Sequence, residues 1–305
     1  MQEVQPTGAP QVILGSLPPY SFTNVWGLGW SRWKASFLPL FLGTLIVVAV
    51  HVPLTLADAA MGVLNQVAVR PEATESVKSA QGLMAGLAGL SGCFTLLWSL
   101  FVVYPICAGF VWMGVQAARG TAPSVGSILQ GYRRFPTVIG GYVLITVICL
   151  VPFLLAIAVP IPLLLSQSAW DLNRLRELFT QTETWETGFI IALVIVAVWI
   201  AVCVVLLYWI ALRLIMWIAV AVDETGPRRG AWASINRSWQ ITRGSALSLF
   251  GLMFTAGLVA VFTLVLCCVP YLLVGVPLFV TLFGLAYATL NQQAMARDAS
   301  AHAAQ

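Results

Sequence analysis

The sequence predicts an all-α integral membrane protein, because it combines few charged residues, six long apolar stretches and an uneven distribution of basic residues. Of its 305 residues, 60% are hydrophobic and 9% are charged, and the mean hydropathy is +0.92. A soluble domain usually has about 25% charged and 45–50% apolar residues. So little charge cannot cover a water-soluble globule, which excludes a soluble enzyme, a disordered chain, a collagen-like fibre and a secreted disulfide scaffold.

Six apolar stretches are each long enough to cross the bilayer, whose ~30 Å hydrocarbon core takes a helix of about 20 residues. They are continuously apolar, whereas the strands of a membrane barrel alternate apolar and polar side chains. The fifth and sixth are separated by only three residues and predict a tight hairpin. The predicted spans are 35–57, 92–118, 137–160, 188–212, 245–266 and 270–290.

The distribution of basic residues predicts the orientation. If the N-terminus, the loops after the second and fourth spans and the C-terminus share one side, that side holds eleven of the 15 Lys and Arg residues. Because positively charged loops stay in the cytoplasm, we expect a prokaryotic inner-membrane protein with both termini inside. Residues 25–292 form the predicted six-span domain, and 1–24 and 293–305 are predicted to be flexible cytoplasmic tails.

A short segment before the first, third and fifth spans carries aromatic residues at helical spacing beside basic residues. In the third, Trp232, Ile235 and Trp239 recur at i, i+3 and i+7. Such a pattern suits a helix in the membrane interface, so we predict three cytoplasmic interfacial amphipathic helices. The candidate contacts with anionic phospholipid head groups are Trp30, Trp33, Lys34, Tyr132, Arg133, Arg134, Arg213, Arg228, Arg229, Trp232, Arg237, Trp239 and Arg243.

The three segments also suggest an internal repeat. Their anchor residues Trp30, Tyr132 and Trp239 are about a hundred residues apart, as expected for a threefold repeat of helical hairpins, each preceded by an interfacial helix. The alternative is that aromatic and basic residues gather at any membrane boundary, repeated or not. Both interpretations remain open at this stage.

Arg213 is a charge within an otherwise apolar stretch. Residues 189–222 contain no Gly, no Pro and no other charge, so a continuous helix would be roughly 50 Å long, more than the bilayer core requires. In one interpretation the helix continues and Arg213 extends to the head groups. In the other it bends near Arg213, which then pairs with Asp223 or Glu224.

The region 213–244 carries the most specific pattern. Arg213 is followed by the acidic pair Asp223-Glu224, by an Ala-containing helix that ends in Ser238-Trp239, and by Thr242-Arg243-Gly244. The chain resembles bacterial and archaeal six-helix membrane protein families of largely unknown function, including the membrane domain of glycerophosphodiester phosphodiesterases. The comparable positions before the third span are Pro105, Gly109, Arg119-Gly120 and Gly131-Tyr132-Arg133.

The resemblance implies a six-helix fold, and it implies that Ser238-Trp239 closes its helix against the bundle with Trp239 buried. It does not imply the phosphodiesterase activity. Only 15 residues follow the last predicted span, too few for that catalytic domain. We therefore expect the membrane part alone.

No catalytic or metal-binding pattern is present in the sequence. The six cysteines form no CxxC pair and the chain has two histidines, so no familiar metal-ligand set can be assembled. There is no phosphate-binding loop, dinucleotide fingerprint, serine nucleophile elbow or HExxH. Ionisable residues inside a bilayer usually mark a transport path, and none lies near the centre of a predicted span. We predict no cofactor and no enzymatic activity.

These observations favour a non-enzymatic membrane module that interacts with lipid, organises a scaffold or senses the bilayer. The alternative is a small transporter or exporter component for a hydrophobic or lipid-like substrate, and an internal cavity open to one leaflet would favour it. A membrane-embedded lipid enzyme ranks last, since no polar cluster at one depth is evident. The expected partners are membrane lipids and not nucleic acid, with a homo-oligomer or a membrane-protein partner left open.

Overall fold

In the computed structural model, residues 17–68, 89–167, 187–225, 228–266 and 268–303 are described, and they form helices and turns without a strand. A 3-10 turn (Val125–Leu129) precedes α4, and a π-helical turn (Tyr271–Gly275) precedes the last helix. In chain order the helices are α1 (Phe22–Ala35), α2 (Phe37–Ala68), α3 (Gly89–Ala118), α4 (Gln130–Arg133), α5 (Phe135–Ala158), α6 (Pro160–Gln167), α7 (Thr187–Leu214), α8 (Trp217–Val222), α9 (Ala231–Ile241), α10 (Ala246–Leu266) and α11 (Val276–Ala303).

Six helical stretches within the described ranges are long and apolar enough to cross a membrane, so the predicted all-α architecture is confirmed and the structure has the six candidate spans that a multi-pass membrane protein requires. The fourth and sixth extend well beyond their predicted ends at residues 212 and 290. The stretches are Phe37–Ala60, Gly89–Ala118, Phe135–Leu163, Ile190–Val222, Ala246–Leu266 and Tyr271–Ala301.

Helix α11 is the central helix of the bundle. In its most apolar stretch 72% of the residues are buried, whereas no other span exceeds 33%. Leu282, Leu285 and Tyr287 are fully enclosed by neighbouring helices. The other spans therefore present most of their apolar side chains outward, as expected when the surroundings are lipid rather than water.

Both predicted tails include helical residues where the structure describes them. Residues 1–16 lie outside the described part, but residues 22–24 already belong to α1, which begins where the Ser21 side chain accepts a hydrogen bond from the Asn24 N–H at 3.3 Å. At the other end, α11 continues to Ala303. Its last turns pack against the bundle, because Ala294 is buried and Asp298 pairs with Arg237, and 293–303 is helical.

The long apolar stretch 189–222 bends, as one of the two interpretations of Arg213 predicted. Helix α7 ends at Leu214 and α8 begins at Trp217. The predicted ion pair is wrong, because Asp223 binds Arg119 instead. Arg213 turns toward the loop after α9 and donates to the backbone oxygen of Thr242 at 3.0 Å.

The three segments predicted to be amphipathic are helical, and each leads into a span. A break at Ser36 separates α1 from α2, and a turn separates α9 from α10. The second is a 3-10 turn followed by the four residues of α4, not a continuous α-helix. Their position in the interface and the threefold repeat stay predictions.

The second segment packs directly against α3 through two of the glycines singled out by the resemblance. A methyl group at Gly109 would overlap the backbone oxygen of Ile128, and one at Gly131 would overlap that of Pro105. Small residues of this kind let two helical backbones approach closely in a membrane. This contact places the 3-10 turn and α4 across the middle of α3, with Ile128 buried.

Candidate functional site

A buried polar cluster lies where α3, α8 and α11 meet, and Asp223 is its centre. Asp223 follows the last residue of α8 and is 7% exposed. Arg119, the C-cap residue of α3, donates to both carboxylate oxygens, from Nη1 to Oδ1 at 3.0 Å and from Nη2 to Oδ2 at 2.6 Å. Such two-pronged arginine–carboxylate contacts are among the strongest polar interactions in proteins.

Two further residues complete the shell of Asp223. Tyr287 of α11 donates its hydroxyl to Oδ2 at 2.7 Å, and Thr225 donates its backbone N–H and its hydroxyl to Oδ1 at 2.9 and 2.7 Å. With Arg119 these make five hydrogen bonds, which use the acceptor capacity of a carboxylate. Burial alone would raise the pKa of Asp223, but the hydrogen bonds and charge of Arg119, with Thr225 and Tyr287, hold it below its ordinary value.

The local sequence explains how these groups come together. Helix α3 stops after Arg119 because Gly120 adopts a left-handed conformation with φ of 78°. Helix α8 stops because Asp223 is extended, with ψ of 119°. Tyr287 lies on the buried part of α11, so the cluster ties the ends of two spans to the central helix.

A cavity of about 160 Å³ opens beside this cluster. Arg237 of α9 is only 9% exposed, and its Nη1 donates to Asp298 Oδ2 at 2.8 Å. The Nε atom of Arg237 is buried without a hydrogen-bond partner in the described part of the chain. The cavity is lined by Val220, Asp223, Thr225, Arg229, Arg237, Tyr287, Asn291 and Met295.

A second, larger space of about 760 Å³ is a groove bounded by α2, α3 and α5. Along α3 it presents Ser91, Thr95 and Ser99, which recur four residues apart and so share one helix face. The stacked rings of Tyr104 and Tyr142, 3.9 Å apart at their centroids, lie at one end. The remaining lining residues are Asp58, Gly92, Leu96, Leu100, Val143, Thr146 and Val147.

Helix α3 is irregular where it lines this groove. Residues Ser99–Val103 form a π-helical turn, and such turns are often found at functional sites. The extra residue in the turn shifts the faces of the helix on either side of it. The groove and the cavity each combine polar side chains with a helix irregularity or a charge cluster.

The motif 213–244 has a structural basis that differs from the expected one. Ser238 is fully buried and its hydroxyl donates to the backbone oxygen of Arg213 at 2.9 Å. Trp239, expected to be buried, is 37% exposed. Its ring meets that of Trp209 edge to face at 5.0 Å, and the Arg213 guanidinium lies 5.4 Å from the Trp209 ring and 5.7 Å from the Trp239 ring. Ser238, not Trp239, therefore fixes α9 to the bend after α7.

The predicted lipid-contact residues divide by exposure. Trp33 and Arg237 are buried in the protein, which contradicts their predicted contact with lipid. Trp33 packs between Trp30 and Phe37, and Arg237 is held by Asp298. Arg134, Arg213 and Arg229 are half-buried. The exposed ones are Trp30, Lys34, Tyr132, Arg133, Arg228, Trp232, Trp239 and Arg243.

The Asp223 cluster was not predicted as a site from the sequence. Arg119 and Asp223 each follow the last apolar residue of a span, and opposite charges at the ends of two spans were a usable signal. Tyr287 and Asn291 gave none, because an uncharged polar residue in an apolar helix does not indicate its neighbours. No group of three metal-binding side chains occurs in the ranges described above.

Comparison with protein families, with curated proteins and with solved structures finds no match for this chain. The resemblance to six-helix membrane families therefore stays a prediction.

Proposed function

We propose that the protein is a non-enzymatic module of the prokaryotic inner membrane that interacts with anionic phospholipids through its three short helices, of which α9 is the principal one. The contrast between the buried and the exposed face of α9 supports the proposal. Ile235, Ser238 and Ile241 are buried against the bundle, whereas Trp232 is 64% exposed. Arg228 precedes the helix and Arg243 follows it, and both are exposed.

This arrangement suits the head-group layer of a bilayer. An exposed tryptophan is favoured at the boundary between hydrocarbon and head groups, and each basic residue near an anionic surface contributes about 1 kcal/mol of attraction. Helix α1 has a similar pair, since the Lys34 ammonium lies 5.5 Å from the centre of the exposed Trp30 ring. The basic residues thus accompany aromatic anchors instead of facing water alone.

The proposal is tested with the full chain in bilayers of mixed anionic and zwitterionic lipid. A photo-crosslinking amino acid at position 232 should attach to lipid, and the attached lipid should be enriched in the anionic species relative to the bilayer. The double substitution R228Q/R243Q should remove the enrichment. A crosslinker at the buried position 33 should attach to protein instead.

R297Q, which removes an exposed arginine from the end of α11, is the matched control and should keep the enrichment. Attachment of lipids in the proportions of the bilayer would contradict the proposed preference for anionic head groups.

A transporter or exporter component for a lipid-like substrate is the second candidate, and the 760 Å³ groove favours it. Pockets of this size suit a drug-sized or larger ligand, and hydroxyl groups within an apolar wall suit an amphipathic one.

In proteoliposomes the wild type should move a fluorescent phospholipid between leaflets, and S99F should slow the transfer by filling the groove. L97F, on the same helix outside the groove, should not; equal effects of the two would exclude the groove as a path.

A further inference from the structure

We infer that the cavity lined by Arg229, Arg237 and Asn291 is a binding site for a phosphate group. It lies between α8, α9 and α11, apart from the exposed face of α9, and the inference does not rest on the proposed function. Its ligand would be held by arginine side chains that the rest of the structure leaves incompletely satisfied.

The charges around the cavity do not cancel. Arg229 and Arg237 line it, and Arg119 lies behind Asp223. Asp223 already accepts five hydrogen bonds, and Asp298 is paired with Arg237. Three guanidinium groups therefore face two carboxylates, which leaves an excess of one positive charge beside the cavity.

Two arginines line the cavity, and each keeps donor groups without a partner in the described part of the chain. Among the described residues, the Arg229 guanidinium makes no hydrogen bond or ion pair, although its backbone oxygen accepts from Thr137 at 3.2 Å. Arg237 uses Nη1 for Asp298 and for Gln240, while its Nε is unpaired. Buried Nε atoms without a partner also occur at Arg32 and Arg213, but neither residue lines this cavity.

Unpaired buried donors on a charged group are costly, so an anion here would regain hydrogen bonds that the protein alone does not make. Guanidinium groups match the oxygens of phosphate two at a time. Asn291 adds a neutral amide, and Val220 and Met295 form an apolar wall. The hydroxyls of Thr225 and Tyr287 are committed to Asp223, which fixes the floor of the site.

The size of the cavity limits the ligand. A volume of 160 Å³ corresponds to about five water molecules at ~30 Å³ each. It accepts a phosphate group with part of an ester but not an acyl chain. The same chemistry could come from free phosphate, from a small phosphorylated solute, or from the head group of a lipid whose chains stay outside.

The test uses the full chain in a neutral detergent at fixed ionic strength, with thermal unfolding as the readout. Inorganic phosphate in place of chloride, or a short-chain phosphatidic acid in place of the matching phosphatidylcholine, should raise Tm by at least about 2 °C. A response to phosphate alone indicates a soluble ligand, and a response to the lipid alone indicates a head group. A response to neither overturns the inference.

Variants then locate the response. R229Q removes a cavity arginine that makes no ion pair with another described residue, so it should fold, and it should weaken binding by at least about tenfold in a titration. R297Q, which removes an exposed arginine that does not line the cavity, should bind as the wild type does. Undiminished binding by R229Q would overturn the assignment, and an equal loss in R297Q would indicate a response to overall positive charge instead of this cavity.

Discussion

Asp223 is the residue whose surroundings most constrain the structure. Its carboxylate joins Arg119 at the end of α3 to Tyr287 on the central helix, and it closes the turn at Thr225. Burying two charges costs several kcal/mol each, which is regained only when both are paired and hydrogen-bonded. Every acceptor position of Asp223 is used, so removing its charge leaves Arg119 buried without its counter-charge.

We expect D223N to destabilise the protein by about 3–5 kcal/mol, because the amide cannot accept both Arg119 contacts and the buried guanidinium loses its partner. The measurement is reversible unfolding in mixed micelles, with Tm as a second readout. E224Q is the control, since the Glu224 side chain is 47% exposed, lies 3.9 Å from Arg133, and as an amide can still accept the hydrogen bond from Gln130. It should cost less than about 1 kcal/mol, and an equal loss in both variants would contradict the structural role of Asp223.

The stability difference between wild type and D223N should depend on pH. The folded-state pKa of Asp223 lies below its ordinary 3.8, so the unfolded chain binds a proton first as the pH falls. The contribution is therefore present above about pH 4 and is lost as the pH falls through the folded pKa. Paired Tm measurements from pH 7 to pH 3 should show a constant difference that shrinks below about pH 4. A difference that grew with acid would have the wrong sign.

The partner of Asp223 illustrates what the sequence could predict at the scale of single residues. Arg213 was the nearest arginine before it in the chain, and a bend near Arg213 was one of the two interpretations left open. The six residues of α8 then carry Asp223 away from Arg213, and the partner comes from the end of α3. Proximity along the chain is a poor guide to the partner of a charge at the end of a span, because the ends of different spans meet at the same membrane surface.

The short segments before the spans show how packing overrides helical pattern at the scale of elements. The spacing of apolar residues in 125–135 predicts one amphipathic helix, but the chain forms a 3-10 turn and then the short α4. The reason is its contact with α3, where Gly131 lies against the backbone of Pro105. The spacing of apolar residues predicts which face of a helix is apolar, but it does not predict how closely the backbone of a neighbouring helix will approach.

We expect G131A to destabilise the protein by about 1–3 kcal/mol, because the added methyl group meets backbone atoms of α3 that cannot move independently. G126A is a matched control in the same segment, where the nearest heavy atom to an added methyl is 3.9 Å away. It should change stability by about 0.5 kcal/mol or less. The free energy of unfolding of both variants is measured in the same detergent. Equal stability of the two would contradict the close contact.

At the scale of the whole molecule, contacts between distant segments place several loops together. Gln130 donates to Glu224, Arg119 binds Asp223, and Arg237 binds Asp298. The loops after the second and fourth spans and the last turns of α11 therefore share one side of the bundle. The sequence anticipated this grouping from charge alone, because the same loops hold most of the Lys and Arg residues.

We predict that this shared side is cytoplasmic, because eleven of the 15 basic residues lie on it and basic loops resist translocation. Reporter fusions that are active only inside should be active at residues near 125 and 230, and those active only outside should be active near 75 and 180. Since six crossings connect the termini, a fusion at the C-terminus should agree with 125 and 230. A fusion at 230 that reports the outside would reverse the predicted orientation. The exposed arginines around α9 would then face the outer leaflet, and the proposed attraction to anionic lipid in the cytoplasmic leaflet could not act on them.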